Sequence, residues 1–200
     1  CFLIPALDHC VRNHSKSGIK VIILYPMNAL AFDQARRIGE MIYDYPELKN
    51  KVTAGILVGE DHDGEEKRVS HKHMTPPFHI IDDRNAIIQN PPDIILTNYK
   101  MLDNLLMKPN FKGLWEGAIG EDSSVQYLVL DEMHTYDGAQ GADVALLIRR
   151  LKAKLAVKKL TCVGTSATLS SDSDGTEVLK TFAHRLFGEP VNLRQIDYPR

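Results

Sequence analysis

Apolar positions along this chain follow two rhythms that take turns. Short unbroken runs, 19-IKVIILYP-26, 52-VTAGILVG-59, 93-DIILTN-98, 125-VQYLVLD-131 and 160-LTCVGTSATL-169, are too brief for core helices. Runs of this kind predict strands buried on both faces, as in a parallel sheet. Between them apolar residues recur every three or four positions, which predicts helices over 2–13, 28–43, 99–107, 139–154 and 177–187. Pro26 and Pro109 punctuate the pattern, and Asn28 stands where it can cap the second helix. Residues 60–90 break both rhythms with HDGEEKRVSHKH and a Pro-Pro pair, predicting a long surface insertion or loop. Strands alternating with helices specify a parallel α/β sheet with right-handed crossovers, whose ligands sit beyond the carboxyl ends of the strands. The unusual polar clusters of this chain all fall at such ends.

Composition narrows this picture without redirecting it. Two hundred residues, 44% apolar and 25% charged, describe a globular chain able to bury a core. No apolar run approaches the ~20 residues a membrane helix needs, and no signal-peptide pattern opens the chain, so a cytoplasmic protein is expected. Cys1, Cys10 and Cys162 form neither a CxxC pair nor an even framework and read as reduced thiols. The formal charge of -2 lacks the basic surplus of a protein that grips nucleic acid by charge alone, so any such contact must be local. The chain opens on Cys1 with what reads as the body of a helix, and a longer parent is expected.

The chemistry concentrates in 127-YLVLDEMHTYDG-138, where an apolar strand delivers two adjacent carboxylates to the rim of the sheet. A divalent cation would relieve their repulsion. On this reading Asp131 holds Mg2+ through a water, Glu132 orients and deprotonates an attacking water beside a γ-phosphate, and His134 links the site to a neighbouring loop. The blander alternative, a solvated loop that caps the next helix, stays open on these letters alone. At the end of the next strand, Ser166 and Thr168 in SAT offer hydroxyls within reach of His134 or the carboxylates.

Taken in order, 25-YPMNALAFDQ-34, 97-TNYKML-102, DEMH and SATL resemble the first motor domain of superfamily 2 DExH-box helicases, over roughly residues 1–190. The resemblance is nearest to the bacterial Lhr-like and MrfA/YprA-like DNA helicases, through YPMNALAFDQ and DEMHTYDG. It implies a three-layer RecA-like domain of the P-loop NTPase type, ATP and Mg2+ as cofactors, and a partner single strand, DNA rather than RNA. It further implies that Pro26, Asn28, Ala29, Gln34, Gly59, Thr97 and Asn98 meet the strand's phosphates through amides, helix N-termini and side chains. By residue chemistry alone, PMNAL is equally a proline stop and a capped helix. Residues 191–200 would begin a linker to a second RecA-like domain.

The pattern departs from the family at one place, since no GxxxxGK[ST] phosphate loop exists in this sequence. An isolated chain of this extent is therefore expected to bind nucleotide negligibly and to hydrolyse none. A non-catalytic binding module that keeps the fold is the rival reading. His62, His71, His73 and His79 crowd one loop without Cys or HExxH spacing, and read as part of a solvent-exposed polar loop rather than a metal site. The basic run from Arg149 to Lys159 suits the negative pole of a helix end. Phe111 and Trp115 read as anchors of a long connection rather than a platform for bases.

Overall fold

The computed structural model describes residues 2–59, 80–120, 123–157, 159–166 and 173–192. The five apolar runs form strands β1 (Val21–Leu24), β2 (Ala54–Leu57), β4 (Ile94–Thr97), β5 (Tyr127–Leu130) and β6 (Thr161–Gly164). A further short strand, β3 (Ile80–Ile81), joins them in one sheet of order β3-β2-β4-β1-β5-β6, with every pairing parallel. Helices α1 (Leu3–Arg12), α2 (Asn28–Asp44), α3 (Arg84–Gln89), α4 (Tyr99–Met107), α5 (Gly138–Leu155) and α6 (Ser173–Phe187) fill the connections.

The core lies in two layers because each strand turns alternate residues to opposite faces. Val21, Ile23, Ile56, Ile94, Leu96 and Val129 meet α1 and α2 on one face. Ile22, Leu24, Ile95, Leu128 and Leu130 meet α4, α5 and α6 on the other. β1, β2 and β4 are buried at every position. That is why their sequences read as continuous apolar runs rather than alternating ones.

Two local expectations change. Residues 80–89, inside the stretch expected to be insertion, carry β3 and α3, the latter capped by Asp83, whose carboxylate accepts the Ala86 N–H at 2.7 Å. A two-residue strand leaves too little pattern to detect, and pairing of Ala54 with Ile80 supplies what propensity does not. Asn28 does not cap α2. The cap position is Met27, without a side-chain hydrogen bond, because the Asn28 amide is engaged elsewhere.

The amino ends of the strands are clasped by charge. Lys20, fully buried, donates to the Asp93 carboxylate and to the Lys16 carbonyl (2.7 Å). The other Asp93 oxygen accepts the Thr53 N–H (2.7 Å) and hydroxyl (3.0 Å). Backbone bonds from Lys20 and Val21 to the Asp93 carbonyl, and from Gln126 to the Lys20 carbonyl, bring β1, β2, β4 and β5 into register at this edge. Phe111 and Trp115 are core residues, as expected, and the Trp115 indole N–H donates to the Leu105 carbonyl at 2.9 Å. Cys10 and Cys162 are free thiols, and burial pushes both up to about 12.

Candidate nucleotide and nucleic-acid site

β4, β1, β5 and β6 are neighbours in the sheet, so the residues that follow them share one rim. The ladder continues one step beyond β5, with Asp131 N–H donating to the Leu24 carbonyl (2.9 Å) and Thr165 N–H to the Leu130 carbonyl (2.9 Å). Glu132 then leaves the sheet in the left-handed region, at φ 49° and ψ 46°, and a 3-10 turn follows over Met133–Thr135. For a residue with a Cβ that conformation costs about 1 kcal/mol or more, so neighbouring contacts must hold it.

Thr165 supplies most of that hold. Its hydroxyl donates to the Asp131 carboxylate and accepts the Glu132 N–H at 3.1 Å. Its carbonyl accepts the Met133 N–H at 2.7 Å. One threonine therefore fixes three consecutive residues, and the Thr135 hydroxyl closes the turn on the Glu132 carbonyl at 2.8 Å. Sequence reasoning passed over Thr165. A lone hydroxyl before SAT reads as turn chemistry, and only the pairing of β5 with β6 places it under the carboxylates.

The two carboxylates have different surroundings. Asp131 is tied to Thr165, whereas Glu132 Oε2 lies 3.3 Å from His134 Nδ1, which is 3.1 Å from the Ser166 hydroxyl. A protonated Nδ1 donates toward both oxygens. Glu132 and His134 side chains are each about one-third exposed (35% and 33%), so the pair stands open at the rim. Thr168 lies outside the described residues. Tyr25 and Tyr136 are buried on either side of this turn, and burial, with the Asp131 charge added, pushes both phenols up.

The donor set is all oxygen and imidazole, suited to a hard cation such as Mg2+. Among the described residues no cluster of three or more His, Cys, Asp or Glu could cage a metal.

Beside the carboxylates the loops after β1, β2 and β4 are stitched together. Asn98 Nδ2 donates to Asn28 Oδ1 at 2.6 Å, and Asn28 Nδ2 donates to the Gly59 carbonyl at 3.3 Å. Asn98 Oδ1 also caps α4 by accepting the Met101 N–H at 2.7 Å. Pro26 and Gln34 are half-buried, Ala29 is exposed, and no described neighbour lies within 4 Å of where a Gly59 side chain would stand. Thr97 differs from the expectation, being wholly buried with its hydroxyl on the Asn98 carbonyl at 3.4 Å. It supports the rim from below instead of facing out. The basic run is largely engaged within the fold, with Arg150 on Asp103 (2.7 Å), Lys152 on Glu189 (2.8 Å) and Lys154 on the Leu106 carbonyl (3.1 Å). A cavity of about 380 Å³ between His9, Asn13, Lys16, Gln126 and Lys159 lies at the opposite rim, away from this chemistry.

A parallel sheet with paired carboxylates at the end of the strand next to its edge, locked from the edge strand β6, defines an α/β domain of the RecA-like class. The chain belongs to the DEAD/DEAH box helicase family, whose model matches residues 1–175. It is 42% identical over 119 residues to Druantia protein DruE of Escherichia coli (strain UMEA 4076-1), covering 56% of this chain and 6% of that protein. It is 25% identical over 196 residues to the uncharacterized ATP-dependent helicase YprA of Bacillus subtilis (strain 168), covering 96% of this chain and 21% of that protein. Among solved structures, the fold matches that of the DUF1998 helicase MrfA bound to DNA and AMPPNP, with a TM-score of 0.68 and 24% identity over 98% of this chain and 23% of that one. The chain thus spans a minor part of the length of each relative. No helix among the described residues is long and apolar enough to cross a membrane.

Proposed function

We propose that residues 1–190 are the first motor domain of an ATP-dependent DNA helicase or translocase acting in the cytoplasm, and that 191–200 lead toward a second RecA-like domain. The observation that carries the reading is the left-handed carboxylate turn at Asp131 and Glu132, fixed by Thr165 and joined through His134 to Ser166. A loop that only capped a helix would have no reason to hold two adjacent carboxylates in a strained turn. Membership of the helicase family, and a relative named as an ATP-dependent helicase, support the same reading.

In this reading Mg2+-bound ATP supplies the phosphoryl group and its charge neutralisation. Asp131, oriented by Thr165, would hold the ion. Glu132 orients the attacking water and takes its proton, and His134 with Ser166 and Thr168 relays the nucleotide state to the strand site. Pro26, Asn28, Ala29, Gln34, Gly59 and Asn98 line the path of a single DNA strand, with Thr97 beneath them. The asparagine tie keeps amides from three loops at fixed spacing for successive phosphates. These 200 residues by themselves are expected to bind nucleotide negligibly and to turn none over, since they contain no GxxxxGK[ST] phosphate loop.

The experiment is steady-state ATP hydrolysis by the protein extended upstream of Cys1 and through a second motor domain, with and without single-stranded DNA. Hydrolysis stimulated by the strand is the expected result. A folded protein that binds DNA but hydrolyses nothing would replace this reading with a non-catalytic binding module. Thr165→Val tests the geometry. The hydroxyl is lost at constant shape, and hydrolysis is expected to fall about 10- to 100-fold, as for other residues that orient ligating carboxylates. Unchanged turnover in that variant would show that the turn holds without the threonine.

A further inference from the structure

Tyr136 follows the carboxylate turn and is fully buried, yet its hydroxyl has no hydrogen-bond partner among the described residues. A buried hydroxyl left unpaired is destabilising, and phenylalanine would fill the same space without that loss. Packing therefore does not explain the tyrosine.

Its placement is tightly set. The Tyr136 N–H donates to the Met133 carbonyl at 3.1 Å. The first turn of α5 presses on its backbone, where a Cβ on Gly141 would stand 2.5 Å from the Tyr136 carbonyl oxygen. Its ring meets the Tyr99 ring edge to face, with centroids 6.3 Å apart and planes at 82°. Tyr99 opens α4 directly after Asn98, the residue that caps the helix and ties to Asn28. The two rings thus join the strand-side loops to the turn that carries Asp131 and Glu132. The Asp131 charge also bears on the phenol, reinforcing the effect of burial.

We infer that Tyr136 is a positioning residue that couples strand engagement at Asn98 to the carboxylate turn, with Tyr99 bearing on its ring and its hydroxyl, unpaired among the described residues, taking up a partner at that turn when ATP and strand are both bound. The inference rests on the motor reading above. A shift of the α4 cap moves Tyr99, and the rigid edge contact passes that shift to Tyr136. The turn it enters is already strained at Glu132, so a small displacement moves the carboxylates.

The test uses the intact protein with its nucleotide loop and second motor domain, measuring ATP hydrolysis with and without a single-stranded oligodeoxythymidylate. In Tyr136→Phe the maximal strand-stimulated rate is expected to fall about tenfold. The strand-free rate and the strand concentration at half-stimulation stay within about twofold, and the thermal midpoint does not drop. Tyr99→Leu falls in the same direction, and the double variant is no worse than the weaker single one, as for residues acting through one contact. Equal loss with and without strand, full retention of stimulation, or additive effects of the two substitutions would each overturn the inference. A wild-type protein that shows no strand stimulation overturns the motor reading itself, a result separate from a stimulated wild type with an unaffected Tyr136→Phe.

Discussion

Glu132→Gln in the intact protein is expected to lower strand-stimulated ATP hydrolysis by about a thousandfold while leaving the fold and nucleotide binding in place. The size follows from the role, since a positioned general base contributes roughly 10²–10⁴ in rate and glutamine cannot take a proton. The specificity follows from the geometry. Glutamine has the same shape, adopts the same left-handed backbone at equal strain, and its amide still reaches His134 and its Ser166 partner. The Thr165 contacts run to the Glu132 N–H, the Met133 N–H and the Asp131 carboxylate, none of which the substitution touches. Asp131→Asn is the companion, expected to weaken nucleotide binding in Mg2+ as well as turnover, because it removes a charge from the ion's side of the site. Turnover in Glu132→Gln within about threefold of wild type would remove Glu132 from the chemistry. Turnover and binding lost together would instead make it a nucleotide ligand.

Such predictions can be made because the carboxylates are legible before the fold is known. Asp131 and Glu132 follow four apolar residues, and a strand end is the one place in a parallel sheet where that order has a chemical use. The same logic exposes the five main strands, of which β1, β2 and β4 are apolar runs buried at every position, while β6 at the sheet edge is only partly buried. It fails for β3 and α3, two and six residues long, which exist by pairing with β2 and by the Asp83 cap. It fails more instructively for Thr165 and for the tie between Asn28 and Asn98, which lie 70 residues apart in the chain. Each of these residues has a sufficient local explanation, as turn former or helix cap. Local pattern cannot reveal that Asn28 gives up the α2 cap to bind Asn98 across the sheet rim. Tyr136 is the opposite case, apolar enough to read as core and distinguished only by a hydroxyl that is unpaired among the described residues.

The charge clasp at the far rim was equally invisible, since Lys20 and Asp93 read as ordinary polar flanks of strands, and it sets the second large effect. Lys20 is 1% and Asp93 11% exposed in their side chains, so neither charge has water to fall back on. Breaking such a buried pair costs about 3–5 kcal/mol, because the remaining charge is uncompensated. Asp93→Asn is expected at the upper end, leaving the ammonium with neutral acceptors, the Lys16 and Gly18 carbonyls among them, and no countercharge. Lys20→Met is expected at the lower end, because Asp93 keeps the N–H and hydroxyl of Thr53. Combining the two changes recovers most of the loss, since no unpaired charge remains. Amide hydrogen exchange in the intact protein reads this locally, at the Val21 N–H on the Asp93 carbonyl and the Ile94 N–H on the Thr53 carbonyl. Protection there falls about a hundredfold to several thousandfold in the single variants, if these strands open with the domain as a whole. A loss under about 1 kcal/mol in Asp93→Asn would mean that the backbone bonds at this edge suffice and the ion pair is dispensable. The expected outcome places the stability of the sheet at its amino rim, which leaves the opposite rim free to carry a strained turn and loops that must respond to ligand.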